Sequence, residues 1–317
     1  MNKRLVHVQL IGGLGNQLFQ YAAALSRDPA KLVFETNLGS PRLNLELIPD
    51  IFDFELSQPH TVLKKRKFRK FFSRFTWYLI RFGMAPENFK TNFLGKKLIS
   101  KVGSTLISWL IRRPTSLVLA SDNGYFEMPS LKTNEYLLGF FQSYIWASIC
   151  HIRPKLRQMN LKTRSDELKN FLNSQPKSNI VAIHVRLGDY RNEPGFGILQ
   201  PSYYANALQR LNADESNLKY WLFSNEPDEA INFIPKEYRA DLVVVPNFAG
   251  SAAETLEAMR NANSYILANS SLSWWGAFLS YQDDPVVITP QPWFQNNPEP
   301  SALIPQEWIR LNAWVDL

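Results

Sequence analysis

The second half of the chain alternates short apolar runs with longer stretches that have one apolar face. Apolar runs typical of buried strands occur at residues 179–185, 219–223, 241–245, 265–268 and 286–289. Apolar residues recur at helical spacing over residues 201–211, 227–233, 252–261 and 272–280. Regular alternation of strands and helices predicts a parallel sheet with crossover helices.

The first half opens with a single strand–turn–helix–strand unit. An apolar run at residues 5–11 precedes a glycine-rich turn at 12–15, a helix at 16–25 and a second strand at 32–35. Asn16 is the predicted N-cap of this helix, because an asparagine side chain accepts hydrogen bonds from free backbone N–H groups there.

Two helical patterns, around residues 144–159 and 165–173, join the halves, and residues 175–178 (QPKS) are the predicted linker. We therefore predict an α/β protein of two Rossmann-like domains. The first domain spans residues 1–175 and the second spans residues 176–317.

The positive charge is concentrated in one segment. The net charge is +7, yet residues 57–120 carry +13, from fourteen Lys and Arg against the single acid Glu87, which leaves −6 for the remainder. Within residues 63–119, basic residues interleave with apolar residues spaced three and four apart, as in amphipathic helices. This insertion either contacts an anionic membrane or forms an ordinary solvated domain face. Because the positive charge is confined to one segment, the protein as a whole is not suited to nonspecific nucleic-acid binding, and we expect no nucleic-acid partner.

The length and composition of the chain are typical of a globular protein with a buried hydrophobic core. The chain has 317 residues, of which 45% are hydrophobic. Its single cysteine, Cys150, excludes an internal disulfide and is typical of a reducing compartment. The N-terminus shows no secretory signal, and no apolar run approaches the roughly 20 residues that span a bilayer. We therefore expect a cytoplasmic protein.

The sequence HVRLGDY at residues 184–190, at the end of a predicted strand, is the strongest chemical signal. Ligands of open α/β sheets bind at the carboxyl ends of strands, and arginine is well shaped to hold phosphate oxygens. Arg186 is therefore either a phosphate-binding residue or a structural partner of Asp189. His184 faces a nucleotide, a sugar or an acceptor hydroxyl, or is a hydrogen-bonded structural residue. Asp189 caps the turn, orients Arg186 or acts as a general base.

The glycine-rich turn is a second candidate site, because phosphate loops also lie between a strand and a helix. Its candidate ligand-binding residues are Gly13, Gly15, Asn16 and Gln17. The alternatives are a tight structural turn, or a dinucleotide fingerprint with Glu35 as the acidic residue. Leu18 occupies the place of the third glycine that this fingerprint requires, which argues against a dinucleotide site.

Ser270 and Ser271 precede the predicted helix at 272–280, where serines either cap the helix or bind phosphate. The chain has no Asp-x-Asp sequence and no Cys/His cluster at metal-ligand spacing. Arginine and helix N–H groups must then carry the charge of a phosphate, so we expect no metal cofactor and activity in EDTA.

Three segments resemble one enzyme family. HVRLGDY is similar to the core motif of the α-1,2-fucosyltransferases, and more loosely to that of the α-1,6- and protein O-fucosyltransferases. Residues 12–22 (GGLGNQLFQYA) and 269–277 (NSSLSWWGA) resemble the bacterial α-1,2 group, glycosyltransferase family 11. The family usually has a second arginine where this chain has Leu187.

The resemblance implies a GT-B architecture, two Rossmann-like domains facing a central cleft, and an inverting, metal-independent galactoside α-1,2-fucosyltransferase. L-fucose would move from GDP-β-L-fucose to the 2-hydroxyl of a galactosyl acceptor in O-antigen or a related surface glycan. The first domain would lie on the acceptor side and the second would bind the GDP-sugar. An acceptor carried on a lipid would bring the protein to the inner face of the cytoplasmic membrane.

The resemblance also implies site residues. Arg186 would stabilise the departing GDP, while a base deprotonates the acceptor; Asp189 and His184 are the other catalytic candidates. The implied donor contacts are Arg186, His184, Asn225, Glu254, Ser270, Ser271, Gly13, Gly15, Asn16 and Gln17. The alternatives are a transferase of the same architecture with another sugar nucleotide, a dinucleotide-dependent oxidoreductase, and a non-catalytic polyanion or membrane binder.

Overall fold

A computed structural model describes residues 4–36, 46–53, 60–63, 93–120, 123–131, 133–214 and 217–314. The chain divides into two compact units. Unit 1 comprises Met1–Asn160 with Pro300–Ile304, and unit 2 comprises Leu161–Glu299 with Pro305–Leu317. Most of the predicted basic insertion, residues 64–92, lies outside the described residues.

Unit 1 contains a five-stranded sheet in the order β4-β2-β1-β6-β5, in which every pairing is parallel. Its strands are β1 (Leu5–Gln9), β2 (Lys31–Glu35), β4 (His60–Leu63), β5 (Thr115–Leu119) and β6 (Asn134–Leu138), and the short β3 (Phe52–Asp53) lies outside this sheet. Its helices are α1 (Leu14–Leu25), α2 (Ile48–Ile51), α3 (Phe93–Ile111), α4 (Tyr144–Ala147) and α5 (Arg153–Arg157).

Two expectations for unit 1 are corrected. Helix α1 begins at Leu14 with Gly13 as its N-cap, whereas Asn16 lies inside the first turn and is not the cap. The carbonyl oxygen of Gly13 in the glycine-rich turn accepts hydrogen bonds from the backbone N of Asn16 and Gln17, so the helix begins two residues earlier than predicted. Residues 115–119, which were expected to belong to the basic insertion, form strand β5 and pair with β6.

Unit 2 contains a six-stranded, wholly parallel sheet in the order β10-β9-β8-β11-β12-β13. Its strands are β8 (Ile180–Val185), β9 (Lys219–Ser224), β10 (Leu242–Val244), β11 (Ser264–Ile266), β12 (Val286–Gln291) and β13 (Ile309–Asn312), and β7 (Asn160–Leu161) lies at the unit boundary. Its helices are α6 (Asp166–Ser174), α7 (Pro201–Asp214), α8 (Pro227–Ala230), α9 (Ala252–Arg260) and α10 (Ser271–Phe278). The predicted alternation of strands and helices is confirmed.

The unit boundary precedes the predicted linker at 175–178, because α6 belongs to unit 2. Ser165, the N-cap of α6, donates from its backbone N and its Oγ to the Glu254 carboxylate at 2.5 and 2.6 Å. Arg164 forms an ion pair with Glu257 at 2.6 Å. The predicted roles of the two domains, acceptor side and donor side, stay predictions.

Strand β8 is the centre of unit 2, and all six of its residues are buried. A continuous apolar run of this kind is expected for a strand covered on both faces. Because its neighbours β9 and β11 run parallel to it, the segments that follow all three strands emerge at the same edge of the sheet. This edge carries HVRLGDY and NSSLSWWGA.

Candidate donor site

The turn after β8 is shaped by a glycine and an asparagine. Gly188 has a φ of +50°, and a Cβ on it would lie 2.2 Å from Asn225 Nδ2. Asn225, at the end of β9, accepts a hydrogen bond through Oδ1 from the backbone N of Leu187 at 3.1 Å. These contacts hold Arg186 and Gly188, on either side of Leu187, at the edge of the sheet.

Arg186 is partly exposed, and only part of its guanidinium is engaged. Its Nη2 contacts both carboxylate oxygens of Asp189, at 2.9 and 3.0 Å, and its Cζ lies 5.6 Å from the centre of the Tyr190 ring. The Nε of Arg186 is buried and has no hydrogen-bond partner among the described residues. The structure therefore shows the Asp189 pairing, which uses Nη2 and leaves the side chain partly exposed.

His184 is buried and its imidazole is neutral. Burial, followed by the nearby charge of Arg186, lowers the pKa of His184 to about 3. Its Nδ1 has no hydrogen-bond partner in the described part of the chain, while its backbone oxygen accepts a hydrogen bond from Tyr204 Oη at 3.1 Å. A neutral imidazole suits hydrogen bonding to a ligand better than it suits proton transfer near neutral pH.

The segment Asn269–Ser271 forms the start of α10. Ser270 is its N-cap, and Ser270 Oγ accepts a long hydrogen bond of 3.4 Å from the backbone N of Leu272. Asn269 donates from Nδ2 to the carbonyl oxygens of Phe196 and Gly197, while its Oδ1 is buried and has no partner among the residues that the structure describes. Ser271 is the first helical residue and is half-buried.

Two predicted donor contacts of unit 2 have structural partners. Asn225 holds the backbone of Leu187, and Glu254 accepts both hydrogen bonds from Ser165. Glu254 lies in the first turn of α9, whose N-cap is Ser251. These contacts account for both side chains without a ligand.

The glycine-rich turn of unit 1 is similarly braced. Gln17 is buried, donates from Nε2 to the carbonyl oxygens of Gly12 and Glu46, and accepts from the backbone N of Ile48. Asn16 Oδ1 accepts from Gln142 Nε2 at 2.8 Å. Beside these braced amides, Gly13 faces open space.

A Cβ on Gly13 would meet nothing within 4 Å.

Within the described ranges, no group of three or more His, Cys, Asp or Glu side chains is placed to hold a metal ion. In the same residues, no helix has the length and apolar character required to cross a bilayer.

The profile of "Glycosyl transferase family 11" matches residues 109–312 of the chain. The chain belongs to glycosyl transferase family 11. The match covers HVRLGDY and NSSLSWWGA, whereas the glycine-rich turn at 12–15 lies outside it. Similarity to named proteins extends over nearly the whole of this family 11 chain.

An alpha-1,2-colitosyltransferase of Escherichia coli is 25% identical over 335 aligned positions, which cover 97% of this chain and 99% of that protein. The O-antigen biosynthesis glycosyltransferase WbnK of Escherichia coli is 27% identical over 331 positions, covering 95% and 99%. Both relatives are therefore matched along their full length by this family 11 glycosyltransferase.

The fold is shared with a solved enzyme. The crystal structure of fucosyltransferase NodZ from Bradyrhizobium superposes with a TM-score of 0.51 at 14% identity, covering 88% of this chain and 94% of that one. Two α/β units with parallel sheets and this likeness confirm the GT-B expectation.

The sequence analysis missed Tyr190 and Asn269 as site residues, although Tyr190 lies in HVRLGDY and Asn269 lies in NSSLSWWGA.

Proposed function

We propose that this family 11 glycosyltransferase moves L-fucose from GDP-β-L-fucose to the 2-hydroxyl of a galactosyl acceptor, with inversion, in O-antigen or related surface-glycan synthesis. The observation that carries the proposal is the partly exposed guanidinium of Arg186, whose hydrogen bonds to Asp189 use Nη2, in one unit with the Ser270-capped start of α10. Both features favour phosphate oxygens. The names of the two Escherichia coli relatives support α-1,2 transfer and an O-antigen setting.

Arg186 would neutralise charge on the departing GDP, and the N–H groups and hydroxyls at Ser270 and Ser271 would share it. His184 would hydrogen-bond the donor as a neutral imidazole. Asp189 would orient Arg186, because both of its oxygens contact that guanidinium. No metal would be needed for this charge stabilisation.

The remaining predicted donor contacts divide into two groups. Gly13 and Gly15 would contact the ligand through their backbone groups; Gly13 is exposed with open space before it, whereas Gly15 is buried in the first turn of α1. Asn16, Gln17, Asn225 and Glu254 would shape the site rather than touch the donor, because each has a partner within its own unit.

GDP release from GDP-fucose in EDTA tests this proposal, with lactose and N-acetyllactosamine as acceptors. Arg186→Ala should lower kcat/KM about 10²- to 10³-fold, as for loss of one charge-stabilising donor. Arg191→Ala is the matched control, because Arg191 stands in the same turn but pairs with Glu226 and Glu229. Equal losses in both variants, or no turnover of GDP-fucose, would contradict the proposal.

The role of Asp189 is tested separately. If Asp189 orients Arg186, Asp189→Asn should weaken GDP binding and leave the pH profile of kcat unchanged. If it is the general base, kcat should fall about 10²- to 10⁴-fold with GDP affinity intact. The two results assign one role or the other.

Transfer of colitose is the second candidate, because one relative is named an alpha-1,2-colitosyltransferase. Colitose is L-fucose without its 3-hydroxyl group. A site that hydrogen-bonds this hydroxyl would reject the deoxy sugar by about 10⁴-fold, whereas an apolar site would prefer it modestly. Competition between GDP-fucose and GDP-colitose decides between the two donors, and turnover of GDP-mannose alone would discard both.

We also propose peripheral contact with an anionic membrane on the cytoplasmic side, through α3. Among the residues whose burial the structure describes, Lys101, Val102, Thr105 and Trp109 of α3 are exposed, as are Arg112 and Arg113 in the turn that follows it, and Trp109 is 68% exposed. Exposed tryptophan beside basic residues suits the interface of an anionic bilayer. Such a contact would bring the enzyme to a lipid-linked acceptor.

Sedimentation with vesicles tests the membrane contact. Replacing Lys101, Arg112 and Arg113 together by alanine should weaken binding to phosphatidylserine vesicles by up to about 100-fold, from about 1 kcal/mol per basic residue. Equal binding to neutral and anionic vesicles, or none at low salt, would leave α3 an ordinary solvated face.

An oxidoreductase built on the glycine-rich turn is disfavoured by packing. Leu18 stands where the fingerprint has its third glycine, and it is fully buried in α1. A glycine there allows the helix to approach the strand closely. NAD binding measured by calorimetry should be undetectable; measurable binding would reopen this alternative.

A further inference from the structure

Tyr190 connects the two segments to which we assign phosphate contacts. Its Oη donates to the carbonyl oxygen of Asn269 at 3.1 Å. Its ring lies under the Arg186 guanidinium, at 5.6 Å from Cζ. One side chain therefore contacts the arginine-bearing turn and the residues that begin α10.

The ring of Tyr190 is itself held in place. It packs against the Phe196 ring at 5.3 Å, and Phe196 packs in turn against Phe294 at 5.0 Å. The Phe196 carbonyl accepts a hydrogen bond from Asn269 Nδ2 at 2.9 Å. Asn269 is thus fixed on its backbone side by Tyr190 and on its side-chain side by Phe196.

The hydroxyl of Tyr190 remains a hydrogen-bond donor across the pH range of any assay. Burial raises the pKa of Tyr190 to about 12, so the phenol stays protonated. The Asn269 carbonyl that accepts from it belongs to the residue just before the N-cap of α10. Loss of this hydroxyl removes the only side-chain donor that the described residues place on that carbonyl.

We propose that Tyr190 is a positioning residue that sets Arg186 and the Asn269–Ser270 segment at a fixed separation, so that both reach the same diphosphate. The proposal rests on the donor site proposed above. Tyr190 acts through its two neighbours and need not touch the donor. Orientation of this kind contributes because small displacements of charge-stabilising groups cost transition-state stabilisation.

Tyr190→Phe tests the hydroxyl, since it keeps the ring under Arg186 and against Phe196. The expected result is about a fivefold to tenfold loss in GDP affinity by calorimetry and in kcat/KM, as for one lost hydrogen bond. Tyr190→Leu also removes the ring and should lose more. Tyr220→Phe is the matched control, because it loses one hydrogen bond, to Asn212 Oδ1, that plays no part in the proposed site.

Coupling between variants separates positioning from general stability. In an Arg186→Ala background, Tyr190→Phe should have less than about half of its effect on the logarithm of kcat/KM, whereas the Tyr220→Phe effect should be the same in both backgrounds. Full additivity of Tyr190→Phe with Arg186→Ala would overturn the proposal. So would a Tyr190→Phe enzyme that binds GDP and turns over like the wild type.

The failure of the donor site is distinguishable from the failure of this inference. A wild-type protein that does not bind GDP overturns the proposed function and this inference together. If the wild-type protein binds GDP, and Tyr190→Phe and Tyr220→Phe bind it equally well, only the positioning role of Tyr190 is overturned. Thermal unfolding of the variants supplies the stability comparison: a loss of GDP affinity in proportion to a fall in Tm would also count against positioning.

Discussion

Replacing Leu187 by arginine restores the residue that the resembled family usually has, and the structure predicts that this chain will not tolerate it. Leu187 is fully buried and belongs to the apolar core of unit 2, although it stands between Arg186 and Gly188 in the turn after β8. Its backbone is fixed on both sides, by Asn225 Oδ1 at 3.1 Å and by Tyr190 N at 3.0 Å. The side chain therefore points into the core while its neighbours lie at the sheet edge.

The magnitude follows from burial. Burying a leucine side chain stabilises the fold by about 1.5–3 kcal/mol. Leu187→Ala, which also leaves a cavity, should therefore cost about 2–5 kcal/mol of unfolding free energy. Leu187→Arg adds an unpaired charge to the same space, so we expect a loss of at least about 3 kcal/mol. That is a large part of the roughly 5–15 kcal/mol that stabilises a typical domain.

Urea unfolding followed by circular dichroism measures these changes. With a slope of about 3 kcal/mol per molar urea, the Leu187→Arg midpoint should fall by about 1 M or more. Leu187→Met is the matched control, because a volume-conserving exchange costs less than about 1.5 kcal/mol. A Leu187→Arg protein within about 1 kcal/mol of the wild type that binds GDP more tightly would refute the reasoning, because the arginine would then reach the donor site.

Three further predictions concern other buried polar groups. Folded His184, with a pKa of about 3, stays neutral, whereas the unfolded residue takes up a proton below about pH 6.5. The free energy of unfolding therefore decreases as the pH falls. In urea titrations between about pH 6 and pH 4, the wild type should lose about 1.4 kcal/mol more per pH unit than His184→Asn does. Glu257→Gln should cost about 3–5 kcal/mol by calorimetry, because it removes the charge of a buried carboxylate that pairs with Arg260 at 3.1 Å and with Arg164 at 2.6 Å, and adding Arg260→Met should recover part of the loss. Gln17→Leu should lower the unfolding free energy by about 1–3 kcal/mol through the orphaned N–H of Ile48, and an unchanged stability would contradict the bracing role.

The elements of unit 2 were predictable because each is encoded locally. The apolar run of β8 and the helical spacing of α7 and α9 appear in the sequence at nearly their observed bounds. Strand β13 was missed, because residues 309–312 alternate between half-buried and exposed positions and form no apolar run. Such a strand is recognisable only from its pairing with β12.

The start of α1 shows a different kind of miss. Asn16 has the side chain of an N-cap, but the backbone at Gly13 takes that position, with Asn16 N and Gln17 N donating to the Gly13 carbonyl. Propensity identifies residues that can cap a helix, whereas the path of the preceding strand and turn decides which one does so.

By itself, the sequence determined the α/β class, the parallel sheet of unit 2, the location of the candidate chemistry and, through three motifs, the family. These properties follow from periodicity and from residue types within short windows. Only the tertiary structure decided that Leu187 is core, that Glu254 holds Ser165, and that Tyr190 joins Arg186 to Asn269. The hydrogen bonds of Tyr190 to Asn269 and of Ser165 to Glu254 join residues 79 and 89 positions apart in the chain, and no local pattern specifies which partner a folded side chain meets.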